Sequence, residues 1–385
     1  MPDVVVVGGG LLGSSVAYEL VRAGVDVVLV DRDDRGQATY AGAGILSPGS
    51  SRWGDESHAR FAHEAAAYYR TLTEMIEEDG GGDTGYGRVP VMVVAGRGDS
   101  RESFDQARQQ FLRFKDQDFA QPGLKDIAAQ DARELFPPLG HVEGVLVDED
   151  GARVDGKMLQ SALQRAGVGR GLTVVRDGVD RLAVSGDRVT GVVLRGRTLA
   201  CNAVVLSTGA WLSQFQDTLA IPDCVAPMKG QICHLGWHAG PTANWAVVVG
   251  LRGHYILPRA SGQIVVGATR EKDSGLSTEL SAGGCLEVLR EALRLAPGLD
   301  AATIGEWRVG LRPVSVDGQP VLGGLPTLRG CFLATGHGAG GLLLGPWSAH
   351  LVAREILTDK PEPGLARYRP ARFALSGSQP ERPDL

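Results

Sequence analysis

The opening of the chain, "DVVVVGGGLLGSSVAYEL" (residues 3–20), constrains its fold more than any other stretch. It spells Gly8-x-Gly10-x-x-Gly13 directly after four valines. A strand, a glycine turn, an apolar-periodic helix from Leu11 to Ala23 and a second strand, "VDVVLVD", follow in order and end on Asp31. That order is a β-α-β unit. Its strands are hydrophobic throughout, as expected where helices cover both faces of a sheet. The glycines let the backbone approach a pyrophosphate seated at the helix N-terminus. Asp31 would accept hydrogen bonds from a ribose 2′-OH and repel a 2′-phosphate, which points to FAD or NAD rather than NADP.

The same spacing occurs twice more. Gly80-x-Gly82-x-x-Gly85 follows an acidic helix end, "MIEED", and opens no helix, so it reads as a loop. Gly336-x-Gly338-x-x-Gly341, in "FLATGHGAGGLLLGPWSAHLV", has a strand before it and a helix after it. No second β-α-β unit and no acid follow it. A separate dinucleotide site is therefore not expected. A second helix N-terminus aimed at another part of the same ligand is. FAD is long enough to be gripped at both ends.

Composition narrows the field further. Glycine, 54 of 385 residues, is about twice its usual ~7%, as in folds with many tight turns and close backbone approaches. A net charge of −6 argues against a nucleic-acid partner. Cys201, Cys224, Cys233, Cys285 and Cys331 show no C-x-x-C spacing and leave one unpaired in any full disulfide set. They read as reduced, buried thiols of a cytoplasmic protein. The eight histidines lack metal-ligand spacing, so no metal is expected. With the first strand beginning at Asp3, no secretory leader is expected, and no apolar run reaches the ~20 residues of a membrane span.

Further along, residues 57–78 read as a long helix, "RVPVMVVAG" as a strand, and 100–116 and "AAQDARELFPPL" as helices. Asp155 is placed to cap a helix within 153–165. Short strands follow, ending in "AVVLSTG". Residues 225–310 look antiparallel, with Gly- and Ser-rich hairpin turns and the helix "CLEVLREALRLA". A strand, "GCFLAT", the second glycine turn and a helix to about Leu357 close the chain. The expected fold is α/β, a Rossmann-like dinucleotide-binding domain with an antiparallel-sheet (α+β) substrate domain. The former takes residues 1–82, 148–222 and 310–375, the latter 83–147 and 223–309, with a loose tail at 376–385.

Five segments in this order, "VVVVGGGLLGSSVAYEL", "GQATYAGAGILSP", "VVLSTGAW", "HYILPRASGQIVVGAT" with "VGLRPVSVDGQPVLG", and "LATGHGAGGLLLGP", carry a resemblance that covers nearly the whole chain. The sequence resembles the FAD-dependent D-amino-acid oxidase, glycine oxidase and sarcosine oxidase superfamily, most of all its glycine oxidase branch. The resemblance assigns Gly8, Gly10, Leu12, Gly13, Asp31 and Arg32 to FAD, with Ala43, Gly44 and Ile45 beside the pyrophosphate and flavin. It places Val175 or a neighbour, with Ser207, Thr208 and Gly209, near the adenine half. Gly336, Gly338, Gly340, Gly341 and Leu342 go beneath the flavin, where backbone N–H groups and the helix dipole would stabilise an anionic ring. Arg312 is implied to grip a substrate carboxylate, helped by Tyr255.

Two departures from the family pattern matter. The glycine oxidase turn usually carries an arginine where this chain has Ala339, which would weaken carboxylate binding or free space on that side of the pocket. Relatives with covalent flavin have a cysteine near Gly310, so FAD is expected to be non-covalent here. The implied activity is oxidation of the Cα–N bond of glycine or an N-substituted glycine, with the flavin as the reactive group and no catalytic residue beyond it. Glyoxylate and an amine would be released, and dioxygen would be reduced to hydrogen peroxide. D-Amino acids, an electron acceptor other than oxygen, and a merely structural FAD are the alternatives. Homo-oligomerisation is compatible with the sequence.

Overall fold

The computed structural model describes residues 1–51, 53–119 and 123–374. The expected tail at 376–385 lies outside them. The valine run forms the strand Val4–Val7, all of it buried, and its alternate side chains enter two different cores. Val4 and Val6 meet Leu11, Val16 and Tyr18 on one face, while Val5 and Val7 meet Leu182, Val192 and Leu212 on the other.

This strand sits inside a six-stranded sheet ordered Val321–Gly324, Cys331–Thr335, Ala203–Leu206, Val4–Val7, Val27–Val30, Thr173–Val175. Neighbours are parallel except the outermost Val321–Gly324, which is antiparallel to Cys331–Thr335. Helices Leu11–Arg22, Glu56–Glu78, Gly156–Gly169 and Gly341–Thr358 cover one face. Asp155 caps the third, accepting from the backbone N–H of Lys157 at 2.9 Å and Met158 at 3.1 Å.

The opposite face departs from expectation. It is covered largely by a three-stranded antiparallel sheet, Arg181–Ser185, Arg188–Leu194 and Arg197–Ala200, rather than by a helical layer. A hydrophobic strand reports that both its faces are buried, not what buries them.

The second sheet has eight strands, ordered Thr303–Ser315, Val225–Gly236, Gln263–Gly267, Tyr255–Pro258, Val247–Gly250, Val91–Gly96, Val142–Asp148, Leu124–Asp126. Its pairings are antiparallel with one exception. Val247–Gly250 runs parallel to Val91–Gly96, so this sheet is mixed where a purely antiparallel one was expected. Helix Ala282–Leu295 and the short helix Ala129–Leu135 contribute to the core on one side of it. Thr303–Ser315 pairs with Val225–Gly236 from Val225↔Ser315 to Gly236↔Thr303, so position 310 falls inside one continuous strand.

The loop reading of Gly80 to Gly85 agrees with the structure, which has no helix between Glu78 and Gly87. Four of the cysteines are buried, whereas Cys285 is half-buried. Among the described residues no cluster of His, Cys, Asp and Glu could hold a metal ion, and no helix is long and apolar enough to cross a membrane.

Candidate functional site

Where the parallel strands end, the two sheets enclose a cavity of about 590 Å³. Val7, Val30, Ser207 and Thr335, at or just past the carboxyl ends of four strands, line one side. Gly230, Val249, Tyr255 and Arg312 of the eight-stranded sheet line the other. Ligands of open α/β sheets bind outside these carboxyl ends.

Both glycine turns open onto this cavity. Residues Gly8 to Leu12 line it, and so do His337 to Leu344. The two helices that follow, Leu11–Arg22 and Gly341–Thr358, have glycine at the N-cap, Gly10 and Gly340, and no side chain caps either. The helices also touch: a Cβ on Gly345 would lie 2.6 Å from Leu12 Cδ1. Two helix N-termini without side-chain caps beside one cavity form a binding surface for negative charge.

The glycines of the first turn divide the labour. Gly8 has φ +100°, and a Cβ there would fall 2.3 Å from Ser207 O, so both conformation and space demand glycine. Gly13 packs against the turn itself, where a Cβ would meet Gly8 O at 1.8 Å. Gly10 differs: a Cβ would meet only Thr39 Oγ1, at 3.3 Å. Its missing side chain leaves space on the cavity wall. Thr39 Oγ1 accepts from the N–H of Leu11 at 2.9 Å, so the "TYAGAG" segment ties down the helix start. Tyr69 donates to the carbonyl of Leu342 and fixes the second turn in the same way.

Asp31 directly follows the strand Val27–Val30 at the cavity edge, where its Oδ1 accepts from the N–H of Asp33 at 3.3 Å. Burial raises its pKa above the ordinary carboxylate range. Arg32, beside it, is ion-paired with Asp34.

On the opposite wall, register explains the geometry. Gly230 pairs with Gly310, and Met228 with Arg312. The Arg312 side chain therefore folds over Gly230, where a Cβ would be 2.5 Å from both terminal nitrogens. Gly310 passes so close to the 38–41 segment that a Cβ would meet Ala41 Cβ at 2.7 Å. Tyr255 pairs with Gly267 and lays its hydroxyl 2.7 Å from where a Cβ of Gly267 would be. Arg312 donates from Nη1 to Thr269 O at 3.0 Å. Among the described residues no carboxylate lies within 4.0 Å of it. Loss of hydration inside the protein lowers the guanidinium pKa, and burial pushes the Tyr255 hydroxyl up to about 12.

Of the residues singled out in the sequence, Gly8, Gly10, Leu12, Asp31, Arg32, Ala43, Gly44, Ile45, Thr208, Gly209, Tyr255, Gly310, Arg312, Gly338, Ala339, Gly340, Gly341 and Leu342 all line the cavity. Gly13, Val175 and Gly336 do not. Val175 accepts from the N–H of Asp31 at 2.9 Å inside the sheet, and its neighbours Asp177, Gly178 and Val179 take the wall position. A Cβ on Gly336 would meet Val321 rather than the cavity. The wall also holds Thr39, His58, Trp211 and Arg270, which the sequence did not single out.

An elongated ligand with a central diphosphate fits this donor set: two helix N-termini, bare glycine backbone, an acid just past a strand end, and Thr208 Oγ1, buried with no hydrogen-bond partner among the described residues. None of the five cysteines lines the cavity.

Comparison with known proteins gives a consistent result. The family model described as "DAO: FAD dependent oxidoreductase" matches residues 3–355. The chain is 36% identical over 381 residues to an uncharacterised oxidoreductase, YurR, of Bacillus subtilis, covering 96% of this chain and 99% of the relative. It is 30% identical to a glycine oxidase of Pseudomonas aeruginosa, over 96% of this chain and 98% of that one. The crystal structure of an iminodiacetate oxidase from Chelativorans sp. BNC1 superposes with a TM-score of 0.89 at 35% identity, covering 96% of this chain and 99% of the other.

Proposed function

From the premise that this chain belongs to the DAO family of FAD dependent oxidoreductases, we propose that it oxidises the Cα–N bond of glycine or an N-substituted glycine. The observation that carries this reading is Arg312, a guanidinium on the cavity wall with no carboxylate partner among the described residues, next to the protonated hydroxyl of Tyr255. A planar fork and one further donor suit a carboxylate. Relatives named as glycine oxidase and iminodiacetate oxidase act on such compounds, iminodiacetate being itself an N-substituted glycine.

In this reading FAD is held by Gly8 to Leu12, Asp31, Arg32, Ala43 to Ile45, Thr208, Gly209, Gly310 and Gly338 to Leu342, with Gly13 and Gly336 shaping the two turns from behind and Val175 supporting Asp31. The dinucleotide-binding domain comprises residues 1–82, 148–222 and 310–375, and the substrate domain 83–147 and 223–309. Arg312 and Tyr255 anchor the substrate carboxylate and so fix Cα. Ala339, exposed on the wall, leaves room for a substituent on nitrogen.

The amine reacts as the free base. Arg312 on the wall disfavours an ammonium close to it, so its proton is lost to solvent without a dedicated base. FAD held by these residues would supply the acceptor for the two electrons and the hydrogen lost from Cα, with dioxygen as the final oxidant, reduced to hydrogen peroxide with two protons. The imine left behind adds water and splits into glyoxylate and the amine.

The test is anaerobic mixing of the purified yellow protein with glycine, sarcosine, iminodiacetate and D-alanine. Loss of flavin absorbance with a glycine derivative, glyoxylate as product and oxygen uptake on re-aeration support the reading. Bleaching by D-alanine alone overturns it.

A further inference from the structure

Arg270 has no role in anchoring the glycine carboxylate, yet it lines the same cavity. It lies three residues beyond the strand Gln263–Gly267 that carries Gly267 beneath Tyr255. Its guanidinium rests on Gly253, where a Cβ would come within 2.8 Å of both terminal nitrogens, and Nη2 donates to Gly253 O at 3.3 Å. Among the described residues no carboxylate lies within 4.0 Å of it. The adjacent Glu271 is committed elsewhere: it accepts from Gln231 Nε2 at 2.6 Å and Thr269 Oγ1 at 2.7 Å, and pairs with Lys229 at 2.8 Å.

The cavity wall therefore presents two guanidiniums, Arg312 and Arg270, with no carboxylate within 4.0 Å of either among the described residues; Glu271 acts on Arg312 only from farther away. Arg312 is half-buried and Arg270 exposed, and two like charges facing one cavity repel each other unless an anion joins them. Arg270 is also among the charges that hold the Arg312 pKa down. A monocarboxylate on Arg312 answers one of the two cations; a second carboxylate on the same substrate answers both. Ala339 supplies the wall space for a substituent on the substrate nitrogen.

We propose that the preferred substrates are N-(carboxyalkyl)glycines, dicarboxylates whose second carboxylate is held by Arg270. The proposal rests on the reading of Arg312 given above. The electron balance is unchanged: one CH₂–N bond loses two electrons, and an N-carboxymethyl substrate yields glyoxylate plus glycine.

The test compares kcat/KM for sarcosine, iminodiacetate and N-(2-carboxyethyl)glycine in wild type, Arg270→Met and Arg270→Lys. A charge-assisted contact predicts that wild type favours at least one dicarboxylate over sarcosine by about 10- to 100-fold. Arg270→Met erases that preference and leaves sarcosine within about twofold; Arg270→Lys restores part of it.

Calorimetry with oxydiacetate and methoxyacetate, which have no Cα–N bond to oxidise, checks binding without turnover. Wild type binds the diacid more tightly, and Arg270→Met binds the two alike. Repeating the rates in 1 M NaCl, where screening acts beyond about 3 Å, separates contact from long-range steering. A preference that vanishes in salt, or a loss shared equally by sarcosine, overturns the Arg270 subsite while leaving Arg312 intact. Absence of turnover with all three compounds overturns the underlying reading as well.

Discussion

Replacing Arg312 by alanine separates a substrate anchor from a structural cation. Among the described residues the guanidinium makes one hydrogen bond, to Thr269 O at 3.0 Å, and has no acidic partner. If it serves a substrate carboxylate, Arg312→Ala leaves that anion unpaired in a partly dry cavity, a loss of about 3–5 kcal/mol for such groups. The side chain is half-buried and keeps one face to the cavity, which places the cost near the lower end. About 3 kcal/mol corresponds to roughly a hundredfold fall in kcat/KM. Stability moves differently. Removing a guanidinium whose pKa is depressed by lost hydration relieves that penalty and forfeits about 1 kcal/mol of hydrogen bonding, so the Tm stays close to wild type. Steady-state kinetics with glycine and with glycine ethyl ester, which lacks the charge, give the assay. The acid loses the hundredfold and the ester does not, with normal FAD content in both preparations. Arg312→Lys recovers only part, because a point charge cannot reproduce a two-pronged fork. An unchanged kcat/KM for glycine, or a collapse of Tm with equal loss for acid and ester, refutes the assignment.

Other consequences can be checked as directly. Gly10→Val places its side chain where only Thr39 Oγ1 is near, so the chain folds with a normal circular dichroism spectrum but is purified without FAD; full flavin content counts against the first turn. Ala339→Arg improves kcat/KM for glycine and penalises bulky N-substituted glycines, and equal treatment of both removes the open-pocket argument. Burial holds His58 and His63 down to about 4 and His337 to about 3, against an ordinary 6.5. Between those values the unfolded chain binds more protons than the folded one, so stability is full above about pH 6.5 and is lost as pH falls toward 4. Thermal melts from pH 8 to 4.5 read this loss, and His337→Gln makes the slope shallower.

The first glycine turn was legible because strand, turn, helix and acid follow one another within a single unit. The second was legible as a turn, and its convergence with the first needed only the argument that no further β-α-β unit remained. Gly13 and Gly336 share the motif spacing but face packing partners, since spacing does not show which way a missing side chain points. Val175 or a neighbour is expected near the adenine half, and it is the chain just beyond the strand, Asp177 to Val179, that lines the cavity. Thr39 and Arg270 reach the cavity through contacts across the fold, to Leu11 and Gly253, that no local pattern announces. The parallel pairing of Val247–Gly250 with Val91–Gly96 escaped for a similar reason, because a run such as "VVVG" reads alike in either orientation. The cover on the second face of the parallel sheet was mistaken because burial alone does not distinguish a helical layer from a sheet.

The central claim is that two separated glycine turns serve one FAD in one cavity. Acid precipitation of the purified protein, followed by chromatography of the supernatant and of the pellet, counts that cofactor per chain. The account predicts one FAD per chain, released in full, because the two helix N-termini share a single cavity wall and none of the cysteines reaches it. Two nucleotides per chain, or flavin that stays with the pellet, would contradict it.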